Sequence, residues 1–152
     1  GKTGDELEAR SLLQSKLDSG EALNKFAQFV EAQGGDAQYV FQPERFPQAS
    51  YQVEVLAQES GYIAQLDALE IGKVAMILGA GRVTKDTAID LTEGLVLHKK
   101  IGDRVEKGEV LATLHMNEAS NKEAEERVGK AFAITKDAPA NIPPLIYEVI
   151  RG

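Results

Sequence analysis

The stretch Gly79-Ala80-Gly81-Arg82-Val83-Thr84-Lys85 brings together two glycines, a hydroxyl and two cations, a combination that elsewhere cradles phosphate. Phosphate loops follow a strand and open a helix, so that free N–H groups and the positive end of the dipole face the anion. Here the glycines follow a helical pattern and lie at its carbonyl end. Two readings stay open. In one, glycine caps the helix and Arg82 answers its last carbonyls. In the other, residues 79–86 are a mobile loop: Gly79 and Gly81 permit hinge movement, and Arg82 and Lys85 reach an anionic ligand held mostly by another part of the molecule.

The remaining candidates are weaker. His98 and His115 are expected at the ends of separate strands, with no carboxylate or serine spaced to complete a charge relay. A zinc site wants a third such ligand, and none has metal spacing. Asp86 and Asp90 are a nominal acid/base pair, but their spacing across a polar loop fixes no geometry. The mixed charges of residues 118–127 fit a solvated helix face. With no cysteine in the chain, thiolate metal sites, cysteine nucleophiles and disulfides are excluded. The sequence therefore predicts no catalytic residue, no metal and no cofactor.

Composition narrows the partners. The 152 residues carry 17 basic and 24 acidic side chains, a formal charge of −7, which opposes binding to a phosphate backbone. No apolar run approaches the about 20 residues of a membrane span, and the opening residues lack a signal-peptide pattern. The expectation is a cytoplasmic protein with no nucleic-acid or membrane partner.

Elements that would position these residues follow from periodicity. Ala9, Leu12, Leu13 and Leu17 share one helical stripe, with Asp5 and Glu8 as an acidic capping signature. Residues 18–20 interrupt, Ser19 is placed to cap a second helix carrying Leu23, Phe26, Ala27 and Val30, and Gly34-Gly35 stops it. Two helices joined this way present an apolar ridge that needs a partner. Residues 37–50, with two prolines and scattered aromatics, read as a linker packed on the next domain. Alternation over 51–56 and 62–66 predicts a hairpin. A short helix is expected over 70–78, ending at Gly79, and strands over 94–98 and 109–114 flank a pair of turns around one short extended piece. Residues 118–132 read as a helix with Val128 and Phe132 inward and Asn117 as cap. Pro139, Pro143 and Pro144 forbid helix, leaving 145–150 as a final strand.

Several of these stretches, in order, are similar to one family. They are Ala32-Gln33-Gly34-Gly35-Asp36, Ser60-Gly61-Tyr62-Ile63, Leu78-Gly79-Ala80-Gly81-Arg82 with Ile89-Asp90, then Gly94-Leu95, Gly102-Asp103, Val105 and Lys107-Gly108-Glu109. The set resembles the C-terminal part of pyrimidine-nucleoside phosphorylases, including thymidine phosphorylase. The resemblance implies a pentosyltransferase that splits uridine or thymidine with phosphate into free base and pentose 1-phosphate, built as a homodimer about three times this length. The chain would then be a noncatalytic piece, inactive alone, that supports and closes the active-site cleft. The remainder of the parent enzyme would be its partner and would hold phosphate and nucleoside. The implied fold is α+β, a two-helix segment followed by an α/β-hammerhead related to barrel-sandwich hybrids. The implied division is residues 1–36 as a remnant of the preceding domain, 37–50 as linker and 51–152 as the hammerhead. The rival is a biotinyl- or lipoyl-carrier-like or interaction module, because the run from Gly102 to Leu111 also resembles the entry to a carrier hairpin. In such carriers the modified lysine sits at an exposed turn, whereas the nearby Lys122 falls in a helical run.

Overall fold

The computed structural model describes residues 2–82 and 84–150; Gly1, and Val83 within the glycine stretch, lie outside the described residues. The chain divides into two compact units, Gly1–Phe46 and Pro47–Gly152.

In the first unit, α1 (Glu6–Asp18) and α2 (Glu21–Ala32) pack as a pair. The Asp5 carboxylate accepts the Glu8 N–H at 2.8 Å and so caps α1 as the sequence predicts. Ser19 does not cap α2: it terminates α1, and Gly20 stands at the start of α2 with no side-chain cap. The Gly34 and Gly35 N–H groups close α2 onto the carbonyls of Glu31 and Val30, both at 2.9 Å. Within 37–50, α3 (Gln38–Phe41) and a 3-10 turn (Pro43–Arg45) interrupt what the sequence reads as linker. The ridge exists, yet Leu13, Leu17, Leu23, Phe26 and Phe29 are all exposed, and Ala27 is the one residue of the two helices that is buried.

The second unit holds β1 (Tyr51–Leu56), β2 (Gly61–Leu66), α4 (Ala68–Leu78), β3 (Gly94–Leu97), β4 (Arg104–Val105), β5 (Val110–Met116), α5 (Lys122–Ala131) and β6 (Phe132–Thr135). Its strands form two antiparallel three-stranded sheets, ordered β1-β5-β3 and β4-β2-β6. The architecture is α+β, and the two sheets do not close into a barrel.

The predicted hairpin over 51–66 is therefore wrong. β1 pairs with β5, some sixty positions away, and β2 pairs with β4 and β6. Alternation along a strand decides which side chains face the core and is silent about which strand lies alongside. The link between the sheets is anchored where the Ala57 N–H donates to the Glu109 carbonyl at 2.9 Å and the Gly108 N–H to the Ala57 carbonyl at 2.8 Å. The two turns around the short β4 appear as expected.

Central β5 carries Leu111, Ala112, Leu114 and Met116, all buried. Leu111 and Ala112 are neighbours, which a regular strand would send to opposite faces. The β1–β5 register explains it: Val55 faces Ala112 and Leu56 faces Val110, so Leu111 is an extra residue and the strand bulges there. Val74 and Leu78 of α4 and Ala124 and Val128 of α5 pack against this layer together with Ile63, Val105 and Phe132. Glu70 ties the two helices together: its Oε2 accepts Arg127 Nη2 at 2.8 Å and Nε at 3.2 Å, and its Oε1 accepts Lys73 Nζ at 2.6 Å.

Three further readings change. α5 begins at Lys122, and the cap is Asn121, whose Oδ1 accepts the Ala124 N–H at 3.0 Å. Its last turn runs straight into β6, so Phe132, which the sequence places at the helix end, is the first residue of a strand. Residues 145–150 form no strand. Pro143 and Pro144 offer no N–H to a ladder, no neighbouring strand pairs with the segment among the described residues, and Leu145, Tyr147 and Ile150 are exposed.

Candidate functional site

The glycine stretch follows α4 as predicted, and its helical end is closed by backbone. Gly79 adopts φ 109°, ψ −8°; its N–H donates to the Met76 carbonyl at 3.2 Å, and the Ala80 N–H reaches the Ala75 carbonyl at 3.0 Å. This pair of bonds satisfies the orphan carbonyls of the last turn, so Arg82 is not needed there. The Arg82 and Lys85 side chains are exposed and make no hydrogen bond or ion pair among the described residues.

The loop is hitched at both ends. The Asp90 N–H donates back to the Gly79 carbonyl at 3.0 Å, which brings the two ends of the segment together in the manner of a compact surface loop. Gly81 lies against α4 so closely that an added Cβ would stand 3.0 Å from Met76 Cα. At the crown, the Thr84 N–H donates to Thr87 Oγ1 at 3.1 Å and the Thr87 N–H to the Thr84 carbonyl at 3.1 Å. A fixed base thus carries an exposed crown with Arg82, Lys85 and Asp86.

Asp90 is occupied by structure. Its Oδ1 accepts the Thr92 hydroxyl at 2.7 Å and the Thr92 N–H at 2.8 Å, and its Oδ2 accepts Asn117 Nδ2 at 3.0 Å. The Thr92 hydroxyl first, then its N–H and the Asn117 amide, hold the Asp90 carboxyl below the usual carboxylate range. Such a group is a poor proton acceptor at neutral pH, which removes the acid/base pairing with Asp86. Asn117 is the hub: its N–H donates to Glu93 Oε1 at 2.9 Å, and its Oδ1 accepts the Ser50 N–H at 3.1 Å and hydroxyl at 3.2 Å. It joins the starts of β1 and β3 to the end of β5. The Asp90-x-Thr92 spacing was a legible turn signal; nothing in the sequence couples Asn117 to it.

Gly79 also lines a cavity of about 370 Å³, together with Glu93, Glu118 and Asn121. Two carboxylates in its lining repel an anion, which opposes a phosphate cradle at this helix end. His98 and His115 stand at opposite ends of the β3–β5 ladder, four positions or about 13 Å apart. His98 Nε2 meets Thr113 Oγ1 at 2.8 Å, and His115 is half-buried within β5 rather than at an exposed end. No group of three metal-ligating side chains occurs among the described residues, and no helix among them is long and apolar enough to cross a membrane. Lys122 sits in the first turn of α5, not at a hairpin turn where a carrier arm would swing.

Elsewhere, Lys73 and then Arg127 hold Glu70 below its usual range, Lys99 and then the Glu106 N–H do so for Glu109, and Lys16 does so for Glu21. Each folded-state value lies below the unfolded one, so the native state binds fewer protons and the stabilisation is present above the unfolded value. We expect the thermal midpoint of each unit, followed by its own signals, to be level between about pH 6 and pH 8 and to fall as pH drops through about 4 and below. A midpoint unchanged down to about pH 3 would remove these carboxylates from the stability of the fold.

The second unit is thus an α+β unit of two small antiparallel sheets and two helices that carries, after α4, a loop whose ends are joined by the Asp90–Gly79 backbone bond. Residues 62–135 match the family model of the pyrimidine nucleoside phosphorylase C-terminal domain, and this stretch of the chain belongs to that family. It is 46% identical over 143 residues to a pyrimidine-nucleoside phosphorylase of Staphylococcus aureus strain bovine RF122 / ET3-1, a match covering 94% of this chain and 33% of that protein. The protein of the same description from strain USA300 is 45% identical over the same coverage. The chain thus spans about a third of the length of the curated relatives it matches.

Proposed function

We propose that this chain is the C-terminal part of a pyrimidine-nucleoside phosphorylase and that it supports and closes an active-site cleft whose reacting groups lie elsewhere in the parent. The observation that carries this reading is the 143-residue match to one third of phosphorylases, joined to a unit with no catalytic set among its described residues. In the parent reaction a phosphate oxygen bonds to the sugar carbon as the bond to the pyrimidine breaks, and water is the competing nucleophile. A wall that closes over the cleft excludes that water and fixes the phosphate against the sugar; positioning of this kind is worth several kcal/mol, up to roughly 7 or more.

Within this reading the crown of the loop faces the cleft. Gly79 and Gly81 fix its base against α4, and Arg82 and Lys85 point free cations toward an anionic ligand. Residues 51–152 form the α/β-hammerhead related to barrel-sandwich hybrids, 1–36 belong to the preceding domain and 37–50 link the two. The parent works as a cytoplasmic homodimer.

The test uses one assay. The isolated 152-residue chain, given uridine and phosphate, releases no uracil. A full-length phosphorylase containing this chain with Arg82→Ala and Lys85→Ala shows KM for phosphate raised about tenfold, or about 1.4 kcal/mol, with kcat nearly unchanged. Uracil from the isolated chain overturns the placement of the chemistry. An unchanged KM reduces the loop to a helix cap.

A further inference from the structure

A concavity of about 650 Å³ in the second unit has none of the glycine-loop residues in its lining. Glu54, Val55 and Leu56 of β1 line it together with Phe132 and Ile134 of β6. Consecutive strand residues point to opposite faces, so three in a row line one groove when it runs along the strand's edge. β1 is the outer strand of its sheet, next to β5 alone; the Leu56 carbonyl on that edge accepts the Gln58 side-chain amide at 3.1 Å, and the outward backbone groups of Gln52 and Glu54 have no ladder partner among the described residues. β6 contributes differently: Phe132 and Ile134 are two positions apart, share a face, and lay an apolar floor beside the edge with Leu56 and the bulged Leu111.

The rim supplies the charge. Glu54, Glu59, Glu125 and Glu126 surround the floor, with Lys130 as the single cation among the lining residues. Lys130 already lies 3.4 Å from Glu126, whereas Glu54 and Glu59 make no hydrogen bond or ion pair among the described residues. An open strand edge, an apolar strip and an acidic rim match one kind of occupant. We propose that this groove binds an extended peptide segment of another protein in which apolar side chains alternate with lysine or arginine, added as a strand to β1. Its apolar residues rest on Leu56, Phe132 and Ile134, and its cations meet Glu54, Glu59 and Glu126. This interaction stands independently of the phosphorylase reading.

The probe is a blocked synthetic peptide of alternating valine and lysine, titrated into the full chain by calorimetry, with amide shifts locating the site. Saturable binding is expected, with shifts in β1, α5 and β6, and with affinity falling at least about tenfold as salt rises from about 50 to 500 mM. The same peptide with glutamate for lysine, and one N-methylated at alternate backbone nitrogens, each bind at least about tenfold more weakly. The double variant Glu54→Lys and Glu59→Lys loses affinity to the same degree while its circular dichroism stays unchanged. Four results overturn the proposal: no binding at millimolar peptide, equal affinity for the glutamate peptide, full affinity for the N-methylated one, or shifts confined to other surfaces, including a self-association contact.

Discussion

Replacing Gly79 with alanine is expected to lower the stability of the second unit by about 2–3 kcal/mol, while replacing Gly72 in the same helix raises it. At Gly79 the backbone sits at φ 109°, a region that costs a residue with a Cβ about 1–2 kcal/mol. The new methyl would also fall on Glu93 Oε2. Glu93 has to swing away, and its other oxygen then gives up the Asn117 N–H that it holds at 2.9 Å, a further loss of about 1 kcal/mol. For a unit of this size the sum lowers the melting midpoint by roughly 10 °C. Gly72 lies mid-helix with nothing within 4 Å of an added Cβ, so alanine there gains about 0.5–1 kcal/mol of helix propensity. Thermal melts of the two variants move in opposite directions. If both fall, or neither moves, the backbone closure of α4 and its coupling to Asn117 are misassigned.

The Gly79 effect reaches the proposed function through geometry. The loop base, Asp90, Thr92, Glu93 and Asn117 form one connected set of hydrogen bonds. Loosening Glu93 therefore frees the base that presents Arg82 and Lys85. On the proposed reading, a parent enzyme carrying Gly79→Ala loses phosphate affinity for a different reason from one carrying Arg82→Ala, because the cations remain and only their placement is lost.

Legibility in the sequence followed the range of the interaction concerned. α4 was readable because Val74 and Leu78 recur at helical spacing and Gly79 closes the turn within the same dozen residues. β3 and β5 were readable as apolar runs bounded by turn glycines. The β1–β5 pairing was not, because alternation in 51–56 is equally compatible with β2, the nearer strand; the choice is made by a core assembled from distant segments. Asn117 and Asn121 show the same limit on a smaller scale. Both precede the helix with the right side chain for a cap, and only the fold decides that Asn121 takes the Ala124 N–H while Asn117 is drawn to Asp90 and Ser50. β6 was hidden because Phe132 continues the helical stripe of Val128. The glycine stretch was legible as a helix end; the return bond from Asp90 to Gly79 that makes it a closed loop was not.

The second large effect is expected at Leu114. It is fully buried at the centre of β5, between Val53 on one side and Leu95 on the other. Truncation to alanine removes its transfer free energy and leaves a void in a strand that β1 and β3 flank and α5 packs against, so the site has little freedom to collapse. The loss expected is about 3–4 kcal/mol, read as a lower urea midpoint for amides of β5. Leu13 offers the contrast, since it is 65% exposed on α1, and its alanine variant should stay within about 0.5 kcal/mol. The two units make a single global midpoint a poor readout, so signals from β5 and from α1 are to be followed separately. A Leu114→Ala loss below about 1 kcal/mol would mean that β5 is not the core strand. The rigid wall invoked for closing the phosphorylase cleft would then lose its physical basis, because its stiffness derives from that packed centre.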